Sequence, residues 1–174
     1  MPIDLRDIVD EPAAIEEGFE VPLDRLDPAQ MAGPVTVRLS GTIHPDGDEH
    51  HAHGTIVMSG SLLCTRCLAP TPWQAEETFS ATYRESDRDI DAEELELDEG
   101  DLDVVFLDGN LLDLMDLAAE QIALAAPMRA LCREDCAGLC PRCGANRNAE
   151  GACRCEPEVD PRWEALKGLS GRPS

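Results

Sequence analysis

Aromatic side chains are scarce in this sequence, which has three Phe, two Trp and one Tyr among 174 residues. Leu, Val, Ile and Ala therefore have to supply most of the apolar surface that a core would bury. A chain of this length has room for one domain with a modest core and a small appendage, and it is too short for two full-sized domains. A core with so few large side chains benefits from cross-links, and bound metal ions are one source of them.

Basic residues are also few: 14 Lys and Arg face 36 Asp and Glu, which gives a formal charge of −22. The acidic residues concentrate at residues 85–103, whereas residues 128–174 carry nearly balanced charge. Phosphate backbones repel a protein this negative at long range, which argues against RNA binding by the whole surface. The charge predicts a basic protein partner instead.

The sequence also lacks the usual signals of export and membrane insertion. Its N-terminus has no basic stretch followed by an apolar one, and no apolar run approaches the roughly 18 residues of a transmembrane helix. We therefore expect a cytoplasmic protein that does not bind membranes. In a reducing cytoplasm, closely spaced cysteines predict metal ligands before they predict disulfides.

Strand signals dominate the first half of the chain. The prolines among residues 1–34 predict an irregular, largely extended segment with at most one edge strand, near residues 19–23. Residues 35–43 and 54–63 are rich in β-branched side chains and flank a turn at Pro45-Asp46-Gly47-Asp48. Apolar residues alternate at residues 73–83, which predicts a third strand. Together these three strands predict an antiparallel meander.

A helix is predicted after the acidic stretch. Residues 85–103 are expected to form a solvated, mobile loop, because few of them can pack and their charges repel. A short strand at 104–107 follows, and Asp113 can cap a helix that runs to about Ala126, ends at Pro127 and covers the sheet. A second, short helix is predicted after Asp160 and Pro161.

The predicted fold class is therefore α+β. Residues 35–131 are expected to form an antiparallel meander, or small barrel-like sheet, covered by one helix. Residues 132–174 are expected to form a cysteine-rich, zinc-ribbon-like appendage.

Eight cysteines carry the strongest chemical signal. Cys64 and Cys67 form a C-x2-C knuckle between two predicted strands, and two thiolates cannot complete the tetrahedron that zinc prefers. The other six follow the predicted helix: Cys132, Cys136, Cys140, Cys143, Cys153 and Cys155. The economical division predicts two structural zinc ions, one on Cys64, Cys67, Cys132 and Cys136 and one on Cys140, Cys143, Cys153 and Cys155.

Other interpretations of these cysteines stay open at this point. The pair Cys132 and Cys136 can exchange roles with Cys153 and Cys155. Iron–sulfur clusters use the same ligand type, although closure by four thiolates favours zinc. A four-thiolate zinc site exposes no Lewis acidity, so we predict no enzyme activity; the alternative is a metal-dependent hydrolase or a redox or iron–sulfur protein.

Histidines and arginines give weaker signals. The histidines His44, His50, His51 and His53 lie in or beside the predicted turn, where a solvated turn is a better interpretation than a third metal site. The arginines Arg66, Arg142, Arg147 and Arg154 flank the cysteines, where they can contact RNA phosphates or pair with thiolates and carboxylates. The sequence has no Ser-His-Asp order, phosphate-binding loop or dinucleotide fingerprint.

Several stretches resemble the YceD family of large ribosomal RNA subunit accumulation proteins. They are Cys64-Thr65-Arg66-Cys67-Leu68, Asp113-Leu114, Glu120-Gln121-Ile122-Ala123-Leu124, Pro127-Met128, residues 132–144 and Asp160-Pro161-Arg162-Trp163. The resemblance covers about residues 35–169. It implies a role in large-subunit ribosomal RNA accumulation without known enzyme activity, and a gene that often lies beside that of a small basic ribosomal protein. We therefore expect a small basic ribosomal protein or ribosomal RNA as partner. Some members lack the later knuckle, which implies that the second zinc ion is dispensable to the shared function.

Overall fold

The computed structural model of the protein describes residues 2–85, 104–148, 153, 155 and 162. Within these residues the main elements are seven β-strands and one α-helix. The strands are β1 (Pro2–Asp4), β2 (Ala13–Val21), β3 (Val35–Asp46), β4 (Glu49–Leu63), β5 (Pro70–Glu85), β6 (Val104–Leu107) and β7 (Leu111–Asp113), and the helix is α1 (Leu114–Ala125). Strands β2 to β6 form a five-stranded sheet in chain order, and β1 pairs with β7 in a separate two-stranded sheet.

Strands β3, β4 and β5 form the antiparallel meander that the sequence predicts. β3 pairs with β4 up to Asp46 opposite Glu49, and β4 pairs with β5 up to Leu63 opposite Pro70. The strands reach further than expected, since Pro45 lies inside β3 rather than in the turn.

The last strand of the sheet corrects the expectation of a purely antiparallel sheet. The strand predicted at residues 104–107 is present as β6, but it runs parallel to β5, with Val104 opposite Thr82. A parallel connection needs about a dozen residues or more to return the chain to the starting end. Residues 86–103 supply that length, whereas an antiparallel hairpin needs only a short turn. The five-stranded sheet is therefore mixed.

The N-terminal segment is more regular than its prolines indicate. Strand β2 pairs with β3 along its whole length, from Ala13 opposite Ile43 to Val21 opposite Val35. The prolines at positions 12 and 22 flank the strand without entering it, so they remove no hydrogen bond from the sheet. The expected edge strand near residues 19–23 thus starts earlier and is longer than predicted.

One face of the sheet and helix α1 form the core. Alternate residues of β3 and β4 point inwards, and their buried side chains are Val35, Val37, Leu39, Ile43, Ala52, Ile56, Met58 and Leu62. The helix begins as predicted, because the Asp113 carboxylate accepts a hydrogen bond from the Met115 N–H at 3.0 Å. Leu114, Leu117 and Ile122 are buried against the sheet. The helix therefore covers the sheet, as expected.

The β3–β4 hairpin is tightest where two glycines face each other. Gly41 lies directly opposite Gly54. A Cβ atom on Gly54 would collide with the Ser40 carbonyl oxygen and the Gly41 Cα atom, and it would lie 3.0 Å from the Phe79 ring. The close approach of the two strands therefore requires residues without side chains at this point.

Two predictions lie outside the described residues: the mobile acidic loop, most of which falls at residues 86–103, and the helix after Asp160. Among the residues that are described, no helix combines the length and the apolar character needed to cross a membrane.

Candidate metal centre

The first cysteine cluster begins in the tight turn between β4 and β5. The Cys64 N–H donates a hydrogen bond to the Ala69 carbonyl (2.9 Å), and the Leu68 N–H donates to the Cys64 carbonyl (2.8 Å). Leu68 closes the turn in the left-handed backbone region, with φ of 59°. Cys64 and Cys67 are both buried in this turn.

The segment after α1 docks on this turn through backbone hydrogen bonds. The Thr65 N–H donates to the Ala130 carbonyl at 2.9 Å, and the Leu139 N–H donates to the Arg66 carbonyl at 3.0 Å. Because these bonds lie on either side of residues 132–136, they hold the next two cysteines beside the turn.

Four sulfur atoms meet in the first cluster, those of Cys64, Cys67, Cys132 and Cys136, all within 4.8 Å of one another. The Sγ atoms of Cys64 and Cys136 are 3.8 Å apart, and those of Cys67 and Cys132 are 3.7 Å apart. A tetrahedron with Zn–S bonds of about 2.3 Å has S···S edges of about 3.8 Å. A disulfide needs about 2.0 Å between its sulfurs. The spacing fits four thiolates around one ion.

The second cluster is built on a turn of the same kind. The Cys140 N–H donates to the Ala145 carbonyl (2.8 Å) and the Gly144 N–H donates to the Cys140 carbonyl (2.9 Å), the same two hydrogen bonds, at the same spacing, that close the first turn. Gly144 has φ of 71° and occupies the position that Leu68 has in the first turn. The sulfurs of this cluster lie within 4.8 Å of one another and belong to Cys140, Cys143, Cys153 and Cys155.

The eight cysteines are thus grouped in the two sets that the economical division predicts. The exchanged arrangement, with Cys153 and Cys155 beside the first turn, is not the one observed. Each set offers four sulfur donors, which is the donor set of structural zinc sites and also of iron–sulfur sites. Both sets could therefore hold a metal ion.

Backbone N–H groups promote ionisation of the first cysteine in each turn. Burial favours the neutral thiol of Cys64, but backbone N–H groups, led by that of Cys132, outweigh burial and lower its pKa to about 6. The N–H groups of Cys143 and Arg142 lower the pKa of Cys140 to about 6 as well. A thiolate that accepts several N–H donors is stabilised over the thiol. Each cluster therefore contains a thiolate at neutral pH.

Other cysteines of the clusters retain their protons. Desolvation of the Cys132 sulfur raises its pKa to about 12. The hydrogen bond with Cys143 is the main cause that raises the pKa of Cys155 to about 12. The Ala69 N–H acts to lower the pKa of Cys67, but burial and the sulfurs of Cys64 and Cys136 outweigh it, so that this pKa is also raised. Each cluster thus combines at least one cysteine with a lowered pKa and at least one with a raised pKa.

Asn148 supports the first cluster from outside the set of cysteines. Its Nδ2 donates to the Cys136 sulfur at 3.3 Å, while its Oδ1 accepts from the Ala137 N–H at 2.8 Å. Burial acts to raise the pKa of Cys136, but the N–H of Gly138 and the Asn148 amide lower it below its usual value. Sequence reasoning missed Asn148, because a side-chain amide has no pattern of its own. The one indication in the sequence was the position of Asn148 among the turn-forming residues that follow the Cys140–Cys143 knuckle.

The arginines near the clusters have different partners. Arg66 Nη1 donates to the backbone carbonyls of Cys136 (2.8 Å) and Glu134 (3.3 Å), rather than to a thiolate or carboxylate. The neighbouring sulfurs of Cys140 and Cys153 raise the pKa of Arg147 by favouring its charged guanidinium. Arg142 is exposed, and Arg154 lies outside the described residues.

The histidines lie in strands β3 and β4, not in a solvated turn. His50 is buried, with its Nε2 3.0 Å from the Ile8 carbonyl oxygen. His51 Nδ1 is 3.0 Å from Thr82 Oγ1, and the rings of His44 and His53 stack with centroids 5.1 Å apart. The expectation of a solvated turn is therefore wrong for His50. The paired strands extend to Glu49, so position 50 falls on the inward face of β4.

Comparison with known families identifies the chain. Residues 52–170 match the family described as Large ribosomal RNA subunit accumulation protein YceD, and this match spans more than half of the chain. The chain belongs to the YceD family. The resemblance drawn from the sequence is thereby confirmed, and the YceD match contains both cysteine clusters. The family name assigns its members a role in accumulation of large-subunit ribosomal RNA.

Individual relatives agree with membership of the YceD family. An uncharacterized protein of Mycobacterium tuberculosis is 31% identical over 118 residues, which cover 68% of this chain and 54% of the relative. The chloroplastic YCED homolog 1 of Zea mays, named a large ribosomal RNA subunit accumulation protein, is 26% identical over 131 residues, with 63% of this chain and 45% of the relative covered. The chain therefore spans about half the length of the curated relatives it matches. No solved structure matches it.

Proposed function

We propose that this protein is a non-enzymatic factor that supports accumulation of large-subunit ribosomal RNA, and that two structural zinc ions hold its C-terminal segment on the sheet. The observation that carries the proposal is the pair of four-sulfur clusters within a chain of the YceD family. The first cluster joins the β4–β5 turn to the segment after α1, so a metal ion there would cross-link two distant parts of the chain.

The sulfur spacing supports zinc as the metal. The S···S distances of 3.7 Å and 3.8 Å in the first cluster match the edges of a tetrahedral zinc–thiolate site. A bound zinc ion would supply a cross-link and charge neutralisation. Asn148 would orient Cys136, and the backbone N–H groups at Cys64 and Cys140 would hold these sulfurs as thiolates.

A closed coordination shell supports a role in binding rather than catalysis. Four protein sulfurs per ion leave no position for a substrate or an activated water. A site with four thiolates around Zn²⁺ carries a net charge of −2, which disfavours binding of a further ligand, such as water or a substrate oxygen, to the zinc ion. We therefore assign both clusters a structural role. The function then lies in binding by the surfaces of the fold that the clusters stabilise.

A small basic ribosomal protein is the partner that the charge favours. The formal charge of −22 attracts a basic protein and repels RNA phosphates at long range. Arginines could favour RNA near the clusters, but Arg66 and Arg147 already donate to carbonyl and sulfur atoms of the protein itself. Cysteines grouped as metal ligands, with sulfur atoms spaced too widely for disulfides, fit a reducing compartment such as the cytoplasm.

Metal content measured by native mass spectrometry tests the architecture. The wild-type chain is expected to carry two zinc ions, and the Cys64→Ser/Cys67→Ser variant is expected to carry one. A chain that contains iron and inorganic sulfide would overturn the zinc assignment. A wild-type chain without metal after purification under reducing, metal-replete conditions would overturn both sites.

Replacement of acidic residues tests the binding role. Glu93→Gln/Glu94→Gln/Glu96→Gln/Asp98→Asn is expected to weaken capture of basic ribosomal proteins by the immobilised chain. Glu16→Gln/Glu17→Gln/Glu20→Gln/Asp24→Asn, on and just after β2, removes the same number of charges and serves as the control. In a strain that lacks the native gene, the wild-type chain should restore large-subunit ribosomal RNA levels. Undiminished capture by the first variant would exclude the acidic segment as the binding surface, and loss of RNA levels without loss of capture would point to direct RNA binding.

A further inference from the structure

We propose that the two clusters bind their metal ions cooperatively, coupled by residues 136–148, which we call the bridging hairpin. This inference rests on the metal binding proposed above. The bridging hairpin contains ligands of both clusters: Cys136 belongs to the first, and Cys140 and Cys143 belong to the second. Only residues 137–139 separate the nearest ligands of the two clusters. When either cluster becomes ordered, it therefore also fixes one end of the bridging hairpin, which carries ligands of the other cluster.

Backbone hydrogen bonds fold the bridging hairpin into one unit. Leu139 and Asn146 form an antiparallel bridge, and the Arg147 N–H donates to the Gly138 carbonyl at 3.0 Å. Gly138 has φ of 73°, and a Cβ atom there would lie 3.0 Å from the Arg66 carbonyl oxygen. The hairpin thus lies directly on the first turn, with little room for another conformation at Gly138.

The second half of the bridging hairpin, residues 144–148, is called the returning arm. It places two consecutive side chains, Arg147 and Asn148, on different clusters. Asn148 Nδ2 donates to the Cys136 sulfur of the first cluster at 3.3 Å. Arg147 lies beside the sulfurs of Cys140 and Cys153 in the second cluster. The arm therefore contacts both clusters at once.

The Asn148 side chain is itself held in place by the hairpin. Its Oδ1 accepts hydrogen bonds from the Ala137 N–H (2.8 Å) and from Arg133 Nη2 (2.7 Å). Asn146 Oδ1 in turn accepts from the Asn148 N–H at 2.9 Å and from its Nδ2 at 3.0 Å. The donor to Cys136 is consequently oriented only when both arms of the hairpin are in position.

This arrangement couples the two sites through shared order. An ion in the second cluster fixes Cys140 and Cys143, and with them the returning arm that carries Asn148. The first cluster then binds its ion without having to order the hairpin again, which is the condition for positive cooperativity. The same argument holds in the opposite direction, since coupling free energies are reciprocal.

Zinc affinities of the full chain and of two one-site variants measure the coupling. Cys140→Ser/Cys143→Ser retains the first site, and Cys64→Ser/Cys67→Ser retains the second. Zn²⁺ constants come from competition with a chelator at fixed pH, and native mass spectra identify the loaded species. The overall constant for loading both sites of the wild type is expected to exceed the product of the two one-site constants by at least about fivefold.

Variants of the arm test whether the bridging hairpin transmits the coupling. Asn148→Ala and Arg147→Ala keep all eight cysteines, so they remain informative even if a one-site variant does not fold. Both are expected to raise the share of the one-zinc species in a stepwise titration severalfold. Asn148→Asp keeps the acceptor for the Ala137 N–H and loses the donor to Cys136, so it should behave like Asn148→Ala. Arg129→Ala, an exposed arginine outside the hairpin, is the matched control and should leave the distribution unchanged.

The outcomes separate this inference from the proposed function. A wild-type chain that binds no zinc overturns the proposed sites themselves. A wild-type chain that binds two ions with an overall constant equal to the product of the one-site constants leaves the sites intact and overturns the coupling. A stepwise distribution unchanged by Asn148→Ala and Arg147→Ala overturns the role of the bridging hairpin.

Discussion

Individual thiols of the first cluster differ in the protons they hold before any ion binds. Backbone N–H groups stabilise the Cys64 thiolate and, with Asn148, the Cys136 thiolate. Cys67 and Cys132 have raised pKa values and stay protonated at pH 7. A metal ion that needs four thiolates must therefore displace protons from the second pair.

Zinc binding to the first cluster alone is expected to release at least about two protons at pH 7, those of Cys67 and Cys132. Since higher pH removes the competing protons, the affinity should rise at least about hundredfold per pH unit just above pH 7. Below pH 6, Cys64 is protonated too, and the dependence should become steeper. Calorimetry of Cys140→Ser/Cys143→Ser in buffers of different ionisation enthalpy counts the protons. Release of fewer than one proton would contradict these pKa assignments.

Leu68 and Gly144 make a second prediction at this scale. They occupy the same position in two like turns, both with positive φ, but only glycine adopts this conformation without a steric cost of about 1–2 kcal/mol. Leu68 is 57% exposed, so its side chain contributes little packing. Leu68→Gly is expected to stabilise the first turn by up to about 1 kcal/mol, and Gly144→Ala to destabilise the second by a similar amount. Zinc affinities of the corresponding one-site chains measure both changes.

At the scale of elements, the sheet depends on the close approach of β3 and β4. Gly41 and Gly54 lie opposite each other, and no Cβ atom fits on Gly54 without movement of the backbone. The strands continue on both sides of this point, so a shift here would disturb the register of core residues such as Ile43 and Ile56.

Gly54→Ala is expected to lower the free energy of unfolding by about 2 kcal/mol or more, because the new methyl group meets backbone atoms that cannot rotate away. Gly18→Ala is the matched control in β2, where the nearest atom to an added Cβ lies at 3.8 Å. Its effect should stay within about 0.5 kcal/mol. Urea denaturation of both variants checks the contrast, and equal loss of stability in the two would refute the role of the close approach.

Local patterns predicted the elements better than their pairing. Alternation and β-branched residues located β3, β4 and β5, and the Asp113 cap located α1. The direction of β6 could not be predicted, because it depends on how residues 86–103 return the chain to the sheet. The nine-residue β2 was underestimated, since prolines mark the ends of a strand as well as irregular segments. Burial of His50 depends on strand length, which the turn residues did not reveal.

At the scale of the whole molecule, two separate apolar clusters stabilise different parts of the chain. The larger one joins the sheet to α1, whereas the smaller one contains Cys64, Cys67 and Cys136 with Ala69, Leu131 and Leu139 around them. The spacing of cysteines predicted the two sets that the structure brings together. Pairing of Arg147 with thiolates was among the alternatives that the sequence offered, and the structure places it beside Cys140 and Cys153. The role of Asn148 could not be assigned from sequence, because it depends on the path of the chain after Cys143.

Removal of metal is expected to loosen the smaller cluster and leave the larger one folded. Amide hydrogens of residues 130–148 should lose protection from exchange after chelation, while those of β3 and β4 remain protected, because their hydrogen bonds belong to the sheet core. Hydrogen exchange with and without a strong chelator measures this difference. Uniform loss of protection across the chain would show instead that the metal sites and the sheet unfold together.

The parallel pairing of β5 with β6 has a consequence for evolution and for engineering. It attaches both ends of segment 86–103 to one edge of the sheet, with Val104 opposite Thr82. The entropic cost of closing a flexible loop grows slowly, by about 0.6 kcal/mol for each doubling of length. Residues inserted between Glu85 and Val104 are therefore expected to cost the sheet little stability, as long as β5 and β6 keep this pairing.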